Sequence, residues 1–501
     1  MFRQLIFVIL LTLPLASFAQ SSYDDIIRDR LPEVIEQHRE FVSIPNVASD
    51  TENMMRNIEW AQYAFSEKGF EVRLLQTSSL PVFLAERKID DNAPTVLYYL
   101  HIDGQAVDAD NWDQPDPFVP VLKEMNSGNW DIISWDNIQS SEIDPDWRIF
   151  GRAAADDKAP ITMMLTAIDI LDDTGMPASH NIKVILDPQE EAGSEAFLSS
   201  LDTDLDAYEA DYMIILDGPA HPSNQPTLTF GCRGIATCSI KVYGSELPQH
   251  SGHYGNYVPN PVFRLAHLLD SMKDTEGKVL IDGYYNGIDI SAEESRILAA
   301  VPDNRSDINR SLGIAEAEKV GSNYQDALQY PSLNVRHIET SWKGPGLKTI
   351  IPEYAVAHLD VRLVKETDGA EQLNKIRSHI ESEGYYVLDR EPTTEERLRH
   401  PDIATFISDP GVNAFRTELD SNIGLSLSDA IKNEFGKEPV KIRSMGGTVP
   451  IIPAINSLNI PAIIVPTVNM DNNQHNPNEN IRIGNIQMGI RMLMAILTAE
   501  L

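Results

Sequence analysis

The chain has 501 residues, 42% hydrophobic and 23% charged, enough for about two to four domains of ordinary globular composition. Its formal net charge of −35 argues against nucleic acid and anionic membrane as partners, because binding phosphate needs the opposite sign. The two cysteines, Cys232 and Cys238, would lie roughly 20 Å apart in one strand, so neither a disulfide nor a thiolate zinc site is expected.

At the N-terminus, Arg3, the apolar run LIFVILLTLPLA and the small-residue site Ser17-Phe18-Ala19 form a secretory signal peptide. Cleavage is expected before Gln20, giving a secreted or periplasmic protein. The apolar run is too short to span a bilayer comfortably. Residues 23 to 42 and about 51 to 68 carry apolar positions at helical spacing, followed by strands at FEVRLL, PVFLAE and TVLYYL. This alternation predicts an α/β class, with a largely parallel sheet.

The VLYYL run ends in His101 and Asp103. From His101 to Gly151 a long loop without secondary structure is expected, holding Trp112 and several acids next to the site. GRAAADDKAP then places Asp156 where a turn opens the helix ITMMLTAIDIL. The stretch NIKVILDPQEEAGS, residues 181 to 194, reads as a buried strand leading past Pro188 into Glu190 and Glu191. Adjacent side chains leave the backbone in different directions, so one carboxylate can hold a metal while its neighbour serves as general base. YMIIL runs into Asp217 in the same way.

From about Gly231 to residue 404 the pattern changes to strands at ATCSIKVYG, SLNVRHIETSW, YAVAHLDVRLV and YYVLDRE, with helices near 260 to 273 and 367 to 383. This predicts an inserted α+β domain of antiparallel strands with helices on one face. The chain then returns through a helix at 425 to 435, the strand VKIRSM, the strand PAIIVPTV leading to His475, and a C-terminal helix at 486 to 497. The expected division is a signal peptide at 1–19, a catalytic domain at 20–230 and 405–501, and an inserted domain at 231–404.

Four apolar runs thus end in residues that bind metals, and in a parallel sheet the carboxyl ends of strands share one edge. Two histidines, two aspartates and a glutamate are the N/O donors that a pair of zinc ions takes, one carboxylate bridging.

The blocks LHIDGQ, GRAAADDKAP, DPQEEAGS, ILDG, QHSGHYGNYVPNP, KTIIPEYAVAHLDVRLV, MGGTVP and HNPNENI resemble, in order, the di-zinc peptidase family of carboxypeptidase G, aminoacylase, succinyl-diaminopimelate desuccinylase and carnosine dipeptidase. The resemblance implies a zinc-peptidase-like mixed sheet flanked by helices, with the insert as a lid and dimerisation domain. It implies two divalent ions per chain, zinc with manganese or cobalt as alternatives, His101 and Asp217 on one, Glu191 and His475 on the other, and Asp156 bridging. Asp103 would orient His101, Glu190 would be the general base, and His250 would be the lid histidine that reaches a partner's site and stabilises the oxyanion. Thr349, Arg362 and the Gly446-Gly447-Thr448 loop would hold the substrate's carboxylate end. The competing readings are a surface role for His250 and a salt bridge from Arg362 to Asp360. Ala153 and Ala159 stand where the family has glycine, and Met445 where it has an acid, which leaves the chemistry intact and substrate preference open.

The implied function is a secreted homodimeric metal-dependent hydrolase that cleaves a peptide bond near a free carboxylate, as a dipeptidase or carboxypeptidase. Its substrate would be a small peptide or, in the alternative reading, an N-acyl amino acid.

Overall fold

The computed structural model describes residues 16–139, 142–344, 346 and 348–501. The expected leader therefore lies, through residue 15, outside the described residues, and the first helix spans Ala16–Val42. Its Ile27, Leu31, Val34, Ile35, His38 and Phe41 fall on one face at spacings of three or four and are buried. Among the described residues no helix is long and apolar enough to cross a membrane.

The main sheet has eight strands in the order Glu71–Leu75, Val82–Arg87, Asn181–Asp187, Thr95–His101, Tyr212–Ile215, Ala462–Ile464, Thr227–Thr229, Val440–Ile442. Its centre is parallel: Thr95–His101 lies between Asn181–Asp187 and Tyr212–Ile215, with Ala462–Ile464 next beyond. Both faces of this centre are covered, which is why Val96, Leu97, Tyr98, Tyr99 and Leu100 are all buried and the run shows no alternation. Helix Lys158–Thr174 packs in the core beside Ile483–Leu497 and stops at Gly175, whose φ of 65° closes the last turn. Such burial contributes about 1.5–3 kcal/mol per large aliphatic side chain.

A second, five-stranded sheet is drawn from residues 234–412, in the order Ser332–Thr340, Tyr354–Leu363, Gly234–Tyr243, Ile403–Val412, Tyr386–Leu388. Helices Pro261–Met272 and Gly369–Ser382 share its hydrophobic core through Leu265, Leu268, Leu373 and Ile376. The chain's return is later than residue 405: Ile403–Val412 pairs with Gly234–Tyr243 inside this sheet. Only its first half is apolar and buried, and Asp409-Pro410-Gly411 reads as a turn, so the sequence carries no sign of a ten-residue strand. The strand Tyr386–Leu388 runs parallel to it, whereas the other pairings in this sheet are antiparallel.

The long loop after His101 is not structureless. Val121–Asn126 and Asn129–Ile133 form a hairpin, and with Arg148–Phe150 and Asn480–Arg482 they make a four-stranded sheet. The hairpin exposes Met125 and Ile132 and mixes charge with apolar residues, so period-two alternation is weak there. Cys232 lies in its own short strand, Gly231–Cys232, and both cysteines are free and buried.

Candidate metal centre

Parallel pairing puts the carboxyl ends of the central strands on one edge, and their next residues form the site. His101 is the last residue of its strand and is fully buried. Beside it Asn181–Asp187 leads into a single helical turn, Glu190–Ala192, carrying Glu190 and Glu191. Asp217 follows Tyr212–Ile215, and His475 sits at φ 62° in the loop after Ala462–Ile464. Asp156 comes from the turn that opens Lys158–Thr174.

These residues converge. The Nε2 of His101 lies 2.9 Å from Oδ1 of Asp156 and 3.9 Å from Oδ1 of Asp217. The Nε2 of His475 lies 3.1 Å from Oδ2 of Asp156 and 3.3 Å from Oε2 of Glu191. Two groups result, His101 with Asp156, Asp157 and Asp217, and Asp156 with Glu191 and His475, each with its donor atoms within 4.8 Å of one another. Asp156 is common to both, with one carboxylate oxygen turned to each histidine.

A supporting layer fixes the donors. The Nδ1 of His101 donates to the backbone carbonyl of Asp103 at 3.1 Å and lies 3.4 Å from Oδ1 of its buried carboxylate, while the backbone N–H groups of Glu190 and Glu191 donate to the two carboxylate oxygens. Asp157 Oδ2 accepts the His101 N–H at 3.1 Å, and Gln105 Nε2 donates to Oε2 of Glu191 at 2.7 Å. Behind Asp156, the buried Glu479 accepts four hydrogen bonds, from Arg152 Nη1 and the backbone N–H groups of Ala153, Ala155 and Asp156.

The protein's own charges leave this centre short of positive charge. Burial, then repulsion from Asp217, Glu191 and Asp156 against the pull of His101, pushes the Glu190 carboxyl up to about 9. Burial and Asp156 raise Glu191 to about 7 and Asp217 to about 6. Burial opposes the charge of His101 too, yet its contacts to Asp103 and Asp156 outweigh this and hold it well above the usual histidine range. Asp156 is held well below the carboxylate range by the two histidines, which overcome its burial. Five carboxylates and two imidazoles converge here, His101 and Asp156 buried and His475 exposed at the rim; these are the donor types zinc and manganese accept, and two cations would relieve the repulsion among the carboxylates.

The remaining candidates fall into two places. The Nη1 of Arg362 donates to Oγ1 of Thr448 at 2.8 Å rather than to Asp360, which accepts from Asn334. Thr448 in turn donates to the carbonyl of Arg233, whose N–H donates to the carbonyl of Gly447. Arg362, Gly447 and Thr448 thus form one polar cluster between the second sheet and the loop before Ile452–Leu458. His250 and Thr349 form the other, in the short Gln249–His250 and Ile350–Ile351 pairing, where the Ser251 N–H donates to the carbonyl of Thr349. The His250 ring is exposed, accepts from the Gly252 N–H and stands 4.9 Å from His253.

Gln105, Asp157, Arg152, Arg233 and Glu479 were not singled out from sequence. All but Arg233 lie within blocks that carry the resemblance, and that neighbourhood was the available signal. In an acid-rich chain nothing in composition separates a buried carboxylate from a solvated one.

Comparison with known proteins agrees with this geometry. The model of peptidase family M20/M25/M40 matches residues 97–499. Beta-Ala-His dipeptidase of Homo sapiens is 26% identical over 425 residues, covering 83% of this chain and 76% of that protein. Cys-Gly metallodipeptidase dug1 of Schizosaccharomyces pombe is 25% identical over 491 residues, covering 93% and 96%. Among solved structures, the metallo-carboxypeptidase Sso-CP2 of Sulfolobus solfataricus superposes with a TM-score of 0.70 at 25% identity, covering 93% of this chain and 98% of that one. Human carnosine dipeptidase 1 shares the fold, with a TM-score of 0.66 at 23% identity over 95% and 98%.

Proposed function

The chain belongs to peptidase family M20/M25/M40, and from that premise we propose that this metallopeptidase is a secreted dipeptidase acting near the free carboxylate of its substrate through a pair of divalent cations. The observation that carries the reading is Asp156, shared between two donor groups. Zinc suits a site of histidine and carboxylate donors, and manganese or cobalt would also fit.

In this reading His101 and Asp217 hold one cation, Glu191 and His475 the other, and Asp156 both. Bound there, the cations would polarise the scissile carbonyl and make water acidic enough to attack near neutral pH. Glu190 is the proton carrier: its carboxylate takes the proton of the attacking water and returns it to the leaving nitrogen. Burial and the neighbouring carboxylates hold the Glu190 carboxyl well above the usual carboxylate range; nearby positive charge would lower it into working range. Arg362, Thr448, Gly447 and Thr349 receive the substrate's carboxylate end, and the polar cluster around Arg362 and Thr448 supports that role.

The second sheet and its helices, residues 231 to about 412, act as a lid through which two chains pair, and the partner's His250 donates to the oxyanion. The leader at residues 1–19 supports secretion. Relatives named as dipeptidases favour peptides over N-acyl amino acids as substrate.

The deciding experiment is a hydrolysis screen of dipeptides against N-acetyl amino acids, on protein stripped with a chelator and reloaded with zinc or manganese. Dipeptide turnover that appears only on reloading supports the reading. Turnover confined to N-acetyl amino acids, or full activity in excess chelator, rules it out.

A further inference from the structure

We propose that Glu479 is the positioning residue of the metal centre: it holds the turn that presents Asp156 to both cations and locks that turn to the loop carrying His475. This rests on the two-cation reading above and concerns a residue that is not itself a ligand.

Four donors meet one carboxylate. Oε1 accepts the N–H of Ala155 at 3.0 Å and of Asp156 at 2.9 Å, while Oε2 accepts Arg152 Nη1 at 2.7 Å and the N–H of Ala153 at 2.9 Å. One of these bonds is to the backbone of Asp156 itself, so no intervening side chain can absorb an error in placing it. Glu479 also follows His475 by four residues, and its own carbonyl accepts the Gly151 N–H at 3.0 Å. The histidine loop and the aspartate turn are thereby joined at both backbone and side chain. Asp156 must keep its two oxygens 2.9 and 3.1 Å from His101 at a strand end and His475 on a loop, and Glu479 is the group that ties the aspartate turn to the His475 loop.

Two further observations favour positioning over incidental packing. Glu479 and Arg152 are both buried in a region already crowded with carboxylates, where a further buried anion is unfavourable unless its oxygens are fully used. Ala153 adopts φ 61°, a left-handed conformation that a residue with a Cβ resists. The bond from its N–H to Oε2 helps hold it there, at a position where the resembling family has glycine.

Glu479→Gln tests this because it preserves shape. Whichever way the amide turns, its NH2 faces two N–H donors, so either Ala155 and Asp156 or Arg152 and Ala153 lose their acceptor. The probe is zinc alone, titrated into the stripped, purified full chain in competition with a chromophoric chelator, with bound metal also counted by elemental analysis. Because Asp156 serves both cations, both dissociation constants are expected to rise by about 10-fold or more. Ala153→Gly in the Glu479→Gln background should restore part of the affinity by removing the strain at that turn. Ile481→Val, which trims a buried side chain two residues away, is the control for simple destabilisation and should leave affinity unchanged. Should Glu479→Gln not fold, Glu479→Asp keeps the charge but falls short by one methylene, and the same rise is expected of it.

Both dissociation constants within twofold of wild type would overturn the assignment, as would a loss no larger than that of Ile481→Val at equal loss of thermal stability. Wild-type protein that takes up no divalent ion would overturn the two-cation reading itself and this assignment with it. Normal uptake by wild type and Glu479→Gln alike would overturn the assignment alone.

Discussion

Asp103 holds both halves of the glutamate pair: its Oδ1 accepts the Glu190 N–H at 2.9 Å and its Oδ2 the Glu191 N–H at 3.2 Å. The same carboxylate lies 3.4 Å from the ring of His101, whose Nδ1 donates to the Asp103 carbonyl, so one buried residue touches a candidate metal donor on one strand end and a turn on the next. The proposed division of labour between Glu190 and Glu191 depends on that turn, because adjacent side chains diverge in a set way only if the backbone between them is fixed.

Asp103→Asn follows from this geometry. The amide keeps the volume but turns one acceptor into a donor facing an N–H, which frees one end of the turn. Metal affinity or turnover should fall by about 10- to 100-fold. Zinc titration and steady-state kinetics on the purified variant check this, and wild-type values for both would contradict it.

The two glutamates should part company when each is changed to glutamine. Glu190→Gln removes the proposed proton carrier and none of the proposed ligands, so metal content should persist while kcat falls by roughly 10²- to 10⁴-fold. Glu191→Gln weakens the donor that faces His475 at 3.3 Å and should lower the occupancy of one cation. Elemental analysis beside kcat separates them, and identical behaviour of the two variants would show the assigned roles to be wrong.

His101, Asp217 and Glu190-Glu191 could be read from the sequence because each follows a buried strand whose uninterrupted apolar run is visible without a structure. His475 lies further from its strand, Ala462–Ile464, so the apolar run PAIIVPTV points only to its loop and the block HNPNENI adds the resemblance. Glu479, Gln105 and Asp157 escaped for a physical reason: each acts through backbone N–H groups or a neighbouring side chain, a relation made by tertiary packing that leaves no local pattern. The hairpin Val121–Ile133 and the end of Ile403–Val412 escaped because half-exposed strands that mix charge with apolar residues lose the alternation on which a strand assignment rests.

Acid should destabilise the fold through His38. Its ring is buried between the first helix and the Asp156 turn, within reach of Ala154 O and Thr162 Oγ1, and burial lowers its pKa to about 4 despite the bond to Ala154. The unfolded chain binds this proton near pH 6.5 and the folded chain only near 4, so stability is complete above 6.5 and is lost as pH falls through that window. The loss is roughly 3 kcal/mol for a shift of this size. His180, also lowered to about 4 by burial, titrates in the same window. Denaturant unfolding of wild type and His38→Gln between pH 7 and pH 4 should show the wild type losing stability faster, by close to one proton in slope. Parallel curves would mean that His38 is not held neutral.

The last expectation concerns the assembly. Within one chain the His250 ring is exposed, bonded to the Gly252 N–H and set beside His253, while the donors of the metal centre gather at the edge of the other sheet. If the oxyanion donor comes from a second chain, a monomer carries all the metal donors and still lacks one catalytic group, and a two-fold symmetric dimer supplies it. Glu190→Gln and His250→Ala should each be nearly inactive as homodimers. Mixed, they form heterodimers in which one of the two sites joins an intact Glu190 with the partner's intact His250, and the other site has neither. Activity should then recover to about half that of a wild-type dimer per heterodimer. Purification on two different affinity tags isolates the mixed species, and hydrolysis measured on that fraction reads the result. Recovery excludes a histidine acting within its own chain, since each chain would then carry one broken site. A fully active monomer, or a verified heterodimer without recovery, would instead assign His250 to its own chain or to no part of the reaction.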